Sequence, residues 1–188
     1  KRVFDSDTIN TISFLPKSIA ITGSGIIAVE FAKIFRNLGA DVTLIIRDLV
    51  PRNALMKIGL DIDVAATLVA DLVRSGIKIE RGAQVCSFDL PEDTKTGIRA
   101  PIKLSLEAGG GGARPTGALT ELKCDAYLAA VGRKPNTECL NLPAAKIMVD
   151  DYGGVLVDSN LCTTAPSGNV YAAGDVVGRP FLASTGVA

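Results

Sequence analysis

A chain of 188 residues holds one ordinary domain, or one domain and part of another. At 47% hydrophobic and 21% charged, it has the makeup of a soluble globular protein, and twenty basic residues balanced by twenty acidic ones argue against nucleic acid or an anionic membrane as the main partner. The sequence contains no histidine, which excludes a Ser-His-Asp or Cys-His catalytic pair and a histidine metal site. No catalytic residue and no metal ligand is therefore expected from this chain, and chemistry must come from a cofactor or from other parts of a protein.

Apolar runs such as Ile19–Ile21 and Leu44–Ile46 are far too short to span a bilayer, so no membrane partner is expected. Nothing at the start reads as a signal peptide. The chain opens on Lys1 without Met and stops at Ala188 in mid-pattern, so the expectation is a piece of a longer polypeptide. Cysteines 86, 124, 139 and 162 form no C-x-x-C and read as buried or idle thiols in a reducing compartment; the expected location is cytoplasmic.

Ser18–Thr22 reads as a short buried strand. Glycines 23 and 25 break it, and from Ile26 to Leu38 apolar residues recur at helical spacing until Gly39 offers a stop. Asp41–Ile46 is a second strand, rich in β-branched residues, and the three segments make a βαβ unit. A second helix is predicted at about Ile62–Arg74, closed by Gly76, with a third strand at Ile77–Glu80. Such alternation implies a parallel sheet with helices covering both faces. Between Ala83 and Ala130 the helical period disappears. Alternating stretches at Val85–Leu90, Ile102–Glu107 and Leu119–Lys123 predict an antiparallel meander packed on the parallel sheet. Gly109–Gly112 and the Ala-Arg-Pro-Thr-Gly after them read as a flexible loop rather than a phosphate grip, because no helix follows. Ala126–Val131 is another buried strand. The rest shows short strands near Val155–Val157 and Val170–Ala173, and has the character of a different domain.

Gly23-Ser24-Gly25-Ile26-Ile27-Ala28 is a G-x-G-x-x-A fingerprint lying between a buried strand and an amphipathic helix. Gly23 permits the tight turn, Gly25 lets a pyrophosphate approach the backbone, and the small Ala28 lets helix and strand pack closely. The phosphates of a dinucleotide would then sit at the positive end of the helix. At the end of the second strand, where a carboxylate would grip an adenosine ribose diol, stands Ile46, followed by Arg47 and, five residues on, Arg52. Guanidinium groups suit a 2′-phosphate and so favour NADP(H). Alternatively both arginines are ordinary surface charges and Asp48 finds the diol. Glu30 lies one turn into the helix beside an apolar stripe, where a carboxylate is costly unless it is paired or exposed.

Gly23-Ser24-Gly25-Ile26-Ile27-Ala28-Val29-Glu30-Phe31-Ala32 resembles the nicotinamide-nucleotide fingerprint of the pyridine nucleotide–disulfide oxidoreductase family. Ala130-Val131-Gly132-Arg133-Lys134-Pro135-Asn136 is similar to that family's A-x-G-R-x-P-N segment. Val170-Tyr171-Ala172-Ala173-Gly174-Asp175 looks like its second flavin motif. The resemblance implies that Gly23, Ser24, Gly25, Ile26, Ile27, Arg47, Arg52, Val131 and Gly132 serve a pyridine nucleotide, with Glu30 beside the nicotinamide and Ile26 where some members place a pocket lid. By the same resemblance Gly174 and Asp175 contact FAD. Arg2-Val3-Phe4-Asp5-Ser6-Asp7 and Gly178–Ser184 look most like the soluble transhydrogenase branch, whereas Ile27–Glu30 and Arg47 look more like glutathione reductase.

The expected architecture is α/β: a Rossmann-type parallel sheet with an antiparallel meander, residues 8–132, followed by a partial FAD-domain segment, residues 133–188. Its partners would be NADP(H), NAD(H) and FAD, the last at an incomplete site, together with the rest of its own FAD and interface domains and, at full length, a second copy in a homodimer. Hydride transfer from NADPH through FAD to NAD is the first expectation. A glutathione-reductase-like disulfide reductase is the second, and a non-catalytic dinucleotide sensor the third. Arg52 stands one residue out of register with the family's second phosphate-binding arginine. The first FAD fingerprint, the redox-active cysteine pair and the C-terminal His-Pro segment are absent, so no catalytic residue carries over.

Overall fold

The computed structural model describes residues 2–91, 100–109, 115–178 and 181. Gly110–Gly112 of the predicted glycine loop, and the Leu182–Ser184 end of the transhydrogenase-like tail, lie outside them. The chain divides into two compact units, Lys1–Val131 and Gly132–Ala188.

In the first unit, strands β1 (Val3–Asp5), β2 (Ser18–Thr22), β3 (Asp41–Ile46), β4 (Lys78–Arg81) and β8 (Ala126–Ala129) form one parallel sheet in the order β1-β8-β2-β3-β4. β1 lies ahead of the expected 8–132 domain and forms the sheet's edge beside β8. Strands β5 (Ala83–Asp89), β6 (Ile102–Ala108) and β7 (Leu119–Cys124) form the antiparallel meander.

Side-chain alternation along the parallel strands sets up two cores. Ile19 and Ile21, Val42, Leu44 and Ile46, and Ala126 and Leu128 face the helices; Ala20, Ile45 and Tyr127 face the meander. Helices α1 (Ile26–Asn37), α2 (Pro51–Met56) and α3 (Ile62–Arg74) all bury residues in the first core. Helices therefore cover one face of the sheet, not both. After β4 the chain turns at Gly82 (φ 65°) into hairpins instead of a crossover helix, and the meander's Ile102, Leu104 and Leu106 take the second face.

Both long helices stop where glycine makes stopping cheap. Gly39 (φ 91°) donates to Arg36 O and Ala40 to Phe35 O, each at 3.0 Å, which satisfies the last carbonyls of α1 in a Schellman arrangement. Gly76 (φ 83°) and Ile77 repeat it on α3 through Val73 O and Leu72 O. At the other end of α3 the Asp61 carboxylate accepts from Asp63 N–H. Lys33 of α1 bonds Asp71 of α3 at 2.7 Å and holds that carboxyl below its usual range.

The second unit is built from 3-10 turns and isolated bridges. The strands expected near 155–157 and 170–173 shrink to the single pairs Val149–Val155, Val157–Thr163 and Cys162–Tyr171. Thr163 N–H to Val170 O and Ala172 N–H to Leu161 O close the Cys162–Tyr171 pair, but Val155 N–H turns to Val176 O, and none of the pairs extends into a ladder. Among the described residues no helix is long and apolar enough to cross a membrane, and no group of three or more His, Cys, Asp or Glu could hold a metal ion.

Candidate nucleotide site

Because β2, β3, β4 and β8 run parallel, their carboxyl ends share one edge of the sheet. The chain leaves β2 for β3 on one side, while β8 returns on the other, and a crevice opens at such a switch point. Gly23 stands there with φ 137°, and its N–H donates to Ile45 O at 3.0 Å. Across the switch point Ala130 N–H donates to Thr22 O at 2.8 Å, tying the ends of β2 and β8 together. Gly25 then caps α1 with an extended backbone (φ −74°, ψ 173°), a conformation open to any residue. A Cβ built there would meet no protein atom within 4 Å. No side chain caps α1 and no acidic residue occupies its first turn, so the first amides and the positive end of the helix dipole stay available to an anion.

The other predicted residues spread along the same edge or near it. Ser24 and Ile27 are half-buried, whereas Ile26 is 57% exposed at the first helical position. Glu30 is exposed, so its carboxylate carries none of the burial cost that its place beside apolar residues suggested. Arg47, just past β3, is exposed. Arg52 is exposed as the second residue of α2. Val131 is exposed past β8, and Gly132 has φ 116°.

Two features escaped the sequence reading. One is α2, a short helix announced by Pro51 at its first position and too brief to show a period. The other is Lys57, the residue after α2, whose ammonium is bonded to the Asp48 carboxylate. The acidic residue that could have taken a ribose diol is thus already paired. A clue was available in the nine-residue spacing of Asp48 and Lys57, which a strand end followed by two helical turns brings together.

In the second unit Gly174 (φ 75°) opens the 3-10 turn Gly174–Val177, and Asp175 is exposed on it. Arg133, Lys134, Pro135 and Asn136 line a cleft of about 230 Å³ together with Asp175, Val176 and Phe181. The Arg133–Asn136 end of the A-x-G-R-x-P-N segment and Asp175 of the second flavin-like motif, some forty residues apart in sequence, meet there.

Of the four cysteines, all free thiols, Cys86 and Cys139 are exposed, Cys162 is half-buried and Cys124 is buried. Burial pushes the Cys124 thiol up to about 11 and raises the Tyr127 phenol, whose O–H donates to Thr22 Oγ1 at 3.0 Å.

A parallel sheet with its switch point at a glycine turn, helices on one face and a meander on the other, defines a Rossmann-type α/β protein. The chain belongs to the pyridine nucleotide-disulphide oxidoreductase family, whose sequence pattern matches residues 1–188. These are flavoproteins that work with FAD and NAD(P). The chain is 37% identical over 183 residues to the soluble pyridine nucleotide transhydrogenase of Photobacterium profundum, covering 97% of this chain and 34% of that protein. It is 34% identical over 171 residues to the dihydrolipoyl dehydrogenase of Thermus scotoductus, covering 90% and 32%. Among solved structures, the Cu(II) complex of the HOCl-induced flavoprotein disulfide reductase RclA of Escherichia coli superposes with a TM-score of 0.76 at 29% identity, over 98% of this chain and 36% of that one. The chain spans about a third of the length of the curated relatives it matches.

Proposed function

We propose that residues 8–132 are the pyridine-nucleotide domain of an FAD-dependent oxidoreductase and that they hold NADP(H), while residues 133–188 contribute one edge of the flavin site. The observation that carries the nucleotide choice is the Asp48–Lys57 pair beside an exposed Arg47. With its carboxylate engaged, the end of β3 presents a free cation rather than a free acid, and that suits a 2′-phosphate.

The residues fit such a ligand. The uncapped α1 amides would hold the diphosphate, Gly25 would let it approach the backbone, and Gly23 keeps the turn tight beneath it. Val131 and Gly132 would continue the nucleotide contacts past β8. Ile26 would border the pocket, Glu30 would lie beside the nicotinamide, and Arg52 would add positive charge near Arg47. Asp175 and Gly174 would offer hydrogen bonds to the ribityl-phosphate part of FAD. FAD, when bound, supplies the hydride relay; this chain supplies binding and orientation.

For the second acceptor we favour NAD, which makes the whole protein a soluble transhydrogenase in the cytoplasm. The 37% identity to the Photobacterium transhydrogenase and the similarity of the Arg2–Asp7 and Gly178–Ser184 ends support this choice. A disulfide reductase is the second reading, favoured by the likeness to the E. coli flavoprotein disulfide reductase. The test is turnover by a chain of the relatives' full length. Hydride transfer between NADPH and an NAD analogue is expected; glutathione reduction without it moves the assignment to the second reading. A protein that binds nucleotide but turns over neither acceptor would instead be a sensor.

A further inference from the structure

We propose that Tyr127 of β8 is a positioning residue for the nucleotide turn, acting through Thr22, the last residue of β2. The inference rests on the reading of residues 23–28 as the diphosphate site, and it holds whether NADP or NAD is bound there. Tyr127 is the register partner of Ala20 and shares its face of the sheet, the face that meets the meander. Strand alternation puts the Thr22 side chain on that same face. From the level of Ala20 the phenol reaches along β2 to the strand's carboxyl end, where its O–H donates to Thr22 Oγ1 at 3.0 Å.

Thr22 is joined directly to the first glycine of the fingerprint, so whatever fixes Thr22 fixes where the turn begins. Two backbone bonds hold this point within the plane of the sheet: Ala130 N–H donates to Thr22 O at 2.8 Å, and Gly23 N–H donates to Ile45 O at 3.0 Å. Neither resists displacement out of that plane, and Gly23 and Gly25 bring no side chain to do so. The Tyr127–Thr22 bond supplies the hold from the meander side, and among the described residues it is the one side-chain hydrogen bond made to residues 22–25. Tyr127 is itself fixed: it is 6% exposed, with the Phe88 ring of β5 tilted against it at a centroid distance of 6.3 Å. Burial raises the phenol, so it remains a protonated donor well above neutral pH. A binding constellation keeps its geometry only when packed and hydrogen-bonded side chains behind it hold it in place. Without the phenol the turn samples displaced positions, and apparent affinity falls with the fraction of time it spends in the binding one.

The experiment measures NAD and NADP affinity by calorimetry on the 188-residue chain and on its Tyr127→Phe, Thr22→Val and Thr22→Ser variants. Thermal melts set a temperature at which each is folded. Tyr127→Phe keeps the ring and removes the hydroxyl. It is expected to weaken both nucleotides by the same factor, about threefold and at most the roughly tenfold that one such hydrogen bond is worth. Thr22→Val should match it, and the double variant should lose about as much as either single one, because both remove the same bond. Thr22→Ser returns an acceptor and should recover the affinity that Thr22→Val loses. A role in core stability alone would lower the melting temperature and leave the affinity of the folded protein at the parental value, which overturns the assignment. A loss in Tyr127→Phe that Thr22→Val does not share overturns it too, as does a loss confined to NADP, which would place the effect at the 2′-phosphate. If Thr22→Val does not fold, the affinity of Tyr127→Phe for the two nucleotides decides alone. An unaltered chain that binds neither nucleotide overturns the reading of the turn, and the Tyr127 assignment with it.

Discussion

A Cβ on Gly23 would stand 2.1 Å from the carbonyl oxygen of Ala130. The turn that leaves β2 and the chain that leaves β8 pass too closely for any side chain, and the φ of 137° at Gly23 is one that other residues avoid. Gly25, two residues on, has neither constraint. The two glycines of one fingerprint are therefore required for different reasons, the first by the fold and the second by what the fold is proposed to bind.

That difference is measurable. Gly23→Ala combines overpacking with backbone strain and is expected to destabilise the domain by roughly 3 kcal/mol or more. Gly25→Val should leave the domain folded, at a cost of about 1 kcal/mol for the poorer N-cap, yet abolish nucleotide binding, since its side chain would fill the approach to the α1 amides. A folded Gly25→Val that still binds NADP would show that the phosphates sit elsewhere.

Arg47→Ala should cost NADP binding about 1.5–3 kcal/mol, the worth of a charged hydrogen bond, and change NAD binding little. Lys57→Ala should act in the opposite sense on the second nucleotide. Freed from its ammonium partner, Asp48 becomes available to a ribose diol and repels a 2′-phosphate, so NAD should bind more tightly and NADP more weakly. Calorimetry with both nucleotides decides; equal losses for the two in Arg47→Ala would remove the arginine from the phosphate site.

Arg2 is 8% exposed, and its guanidinium donates to Ala100 O at 2.5 Å and Pro91 O at 3.3 Å, one carbonyl at each end of the connection between β5 and β6. Arg2→Met keeps much of the apolar stem but leaves those carbonyls without their donor. A loss of about 1.5–3 kcal/mol in urea unfolding is expected, the range for hydrogen bonds made by a charged group. An unchanged midpoint would mean that water replaces the guanidinium at no cost.

Much of this architecture was legible in the residues. Ser18–Thr22, Asp41–Ile46 and Ile62–Arg74 carry periods that only a buried strand or an amphipathic helix satisfies, and the glycines after both long helices adopt the positive φ that stops them. The meander's strands were legible from alternation and its packing on the sheet was expected, but not that it takes the face opposite the helices, which were expected on both faces. α2 was hidden by its length. Lys57 was hidden because its place beside Asp48 comes from tertiary course, which local pattern does not encode. The 155–157 and 170–173 segments misled in the other direction: β-branched composition favours extension, but pairing depends on a neighbour, and here the nearest amides and carbonyls are in turns.

Alkaline pH should expose the second core. The Cys124 thiol, buried between the two sheets, is pushed up to about 11 by burial, and the Tyr127 phenol in the same cluster is raised for the same reason. In the unfolded chain both groups ionise at their ordinary values, so between pH 9 and 11 the unfolded state loses protons that the native state keeps. Raised native values mean stability that is fully present below pH 9 and lost as pH rises through the native pKa. For Cys124 the loss amounts to roughly 2–3 kcal/mol, and Tyr127 adds in the same sense at higher pH. Urea midpoints at pH 8, 9.5 and 10.5 should therefore fall, and Cys124→Ala with Tyr127→Phe should flatten the fall even if it lowers stability throughout. At pH 8 a disulfide reagent should modify the exposed Cys86 and Cys139 readily and Cys124 only on unfolding. An equally steep alkaline fall in the double variant would shift the cause to surface lysines, and prompt labelling of Cys124 in the folded protein would show that the second core opens in solution.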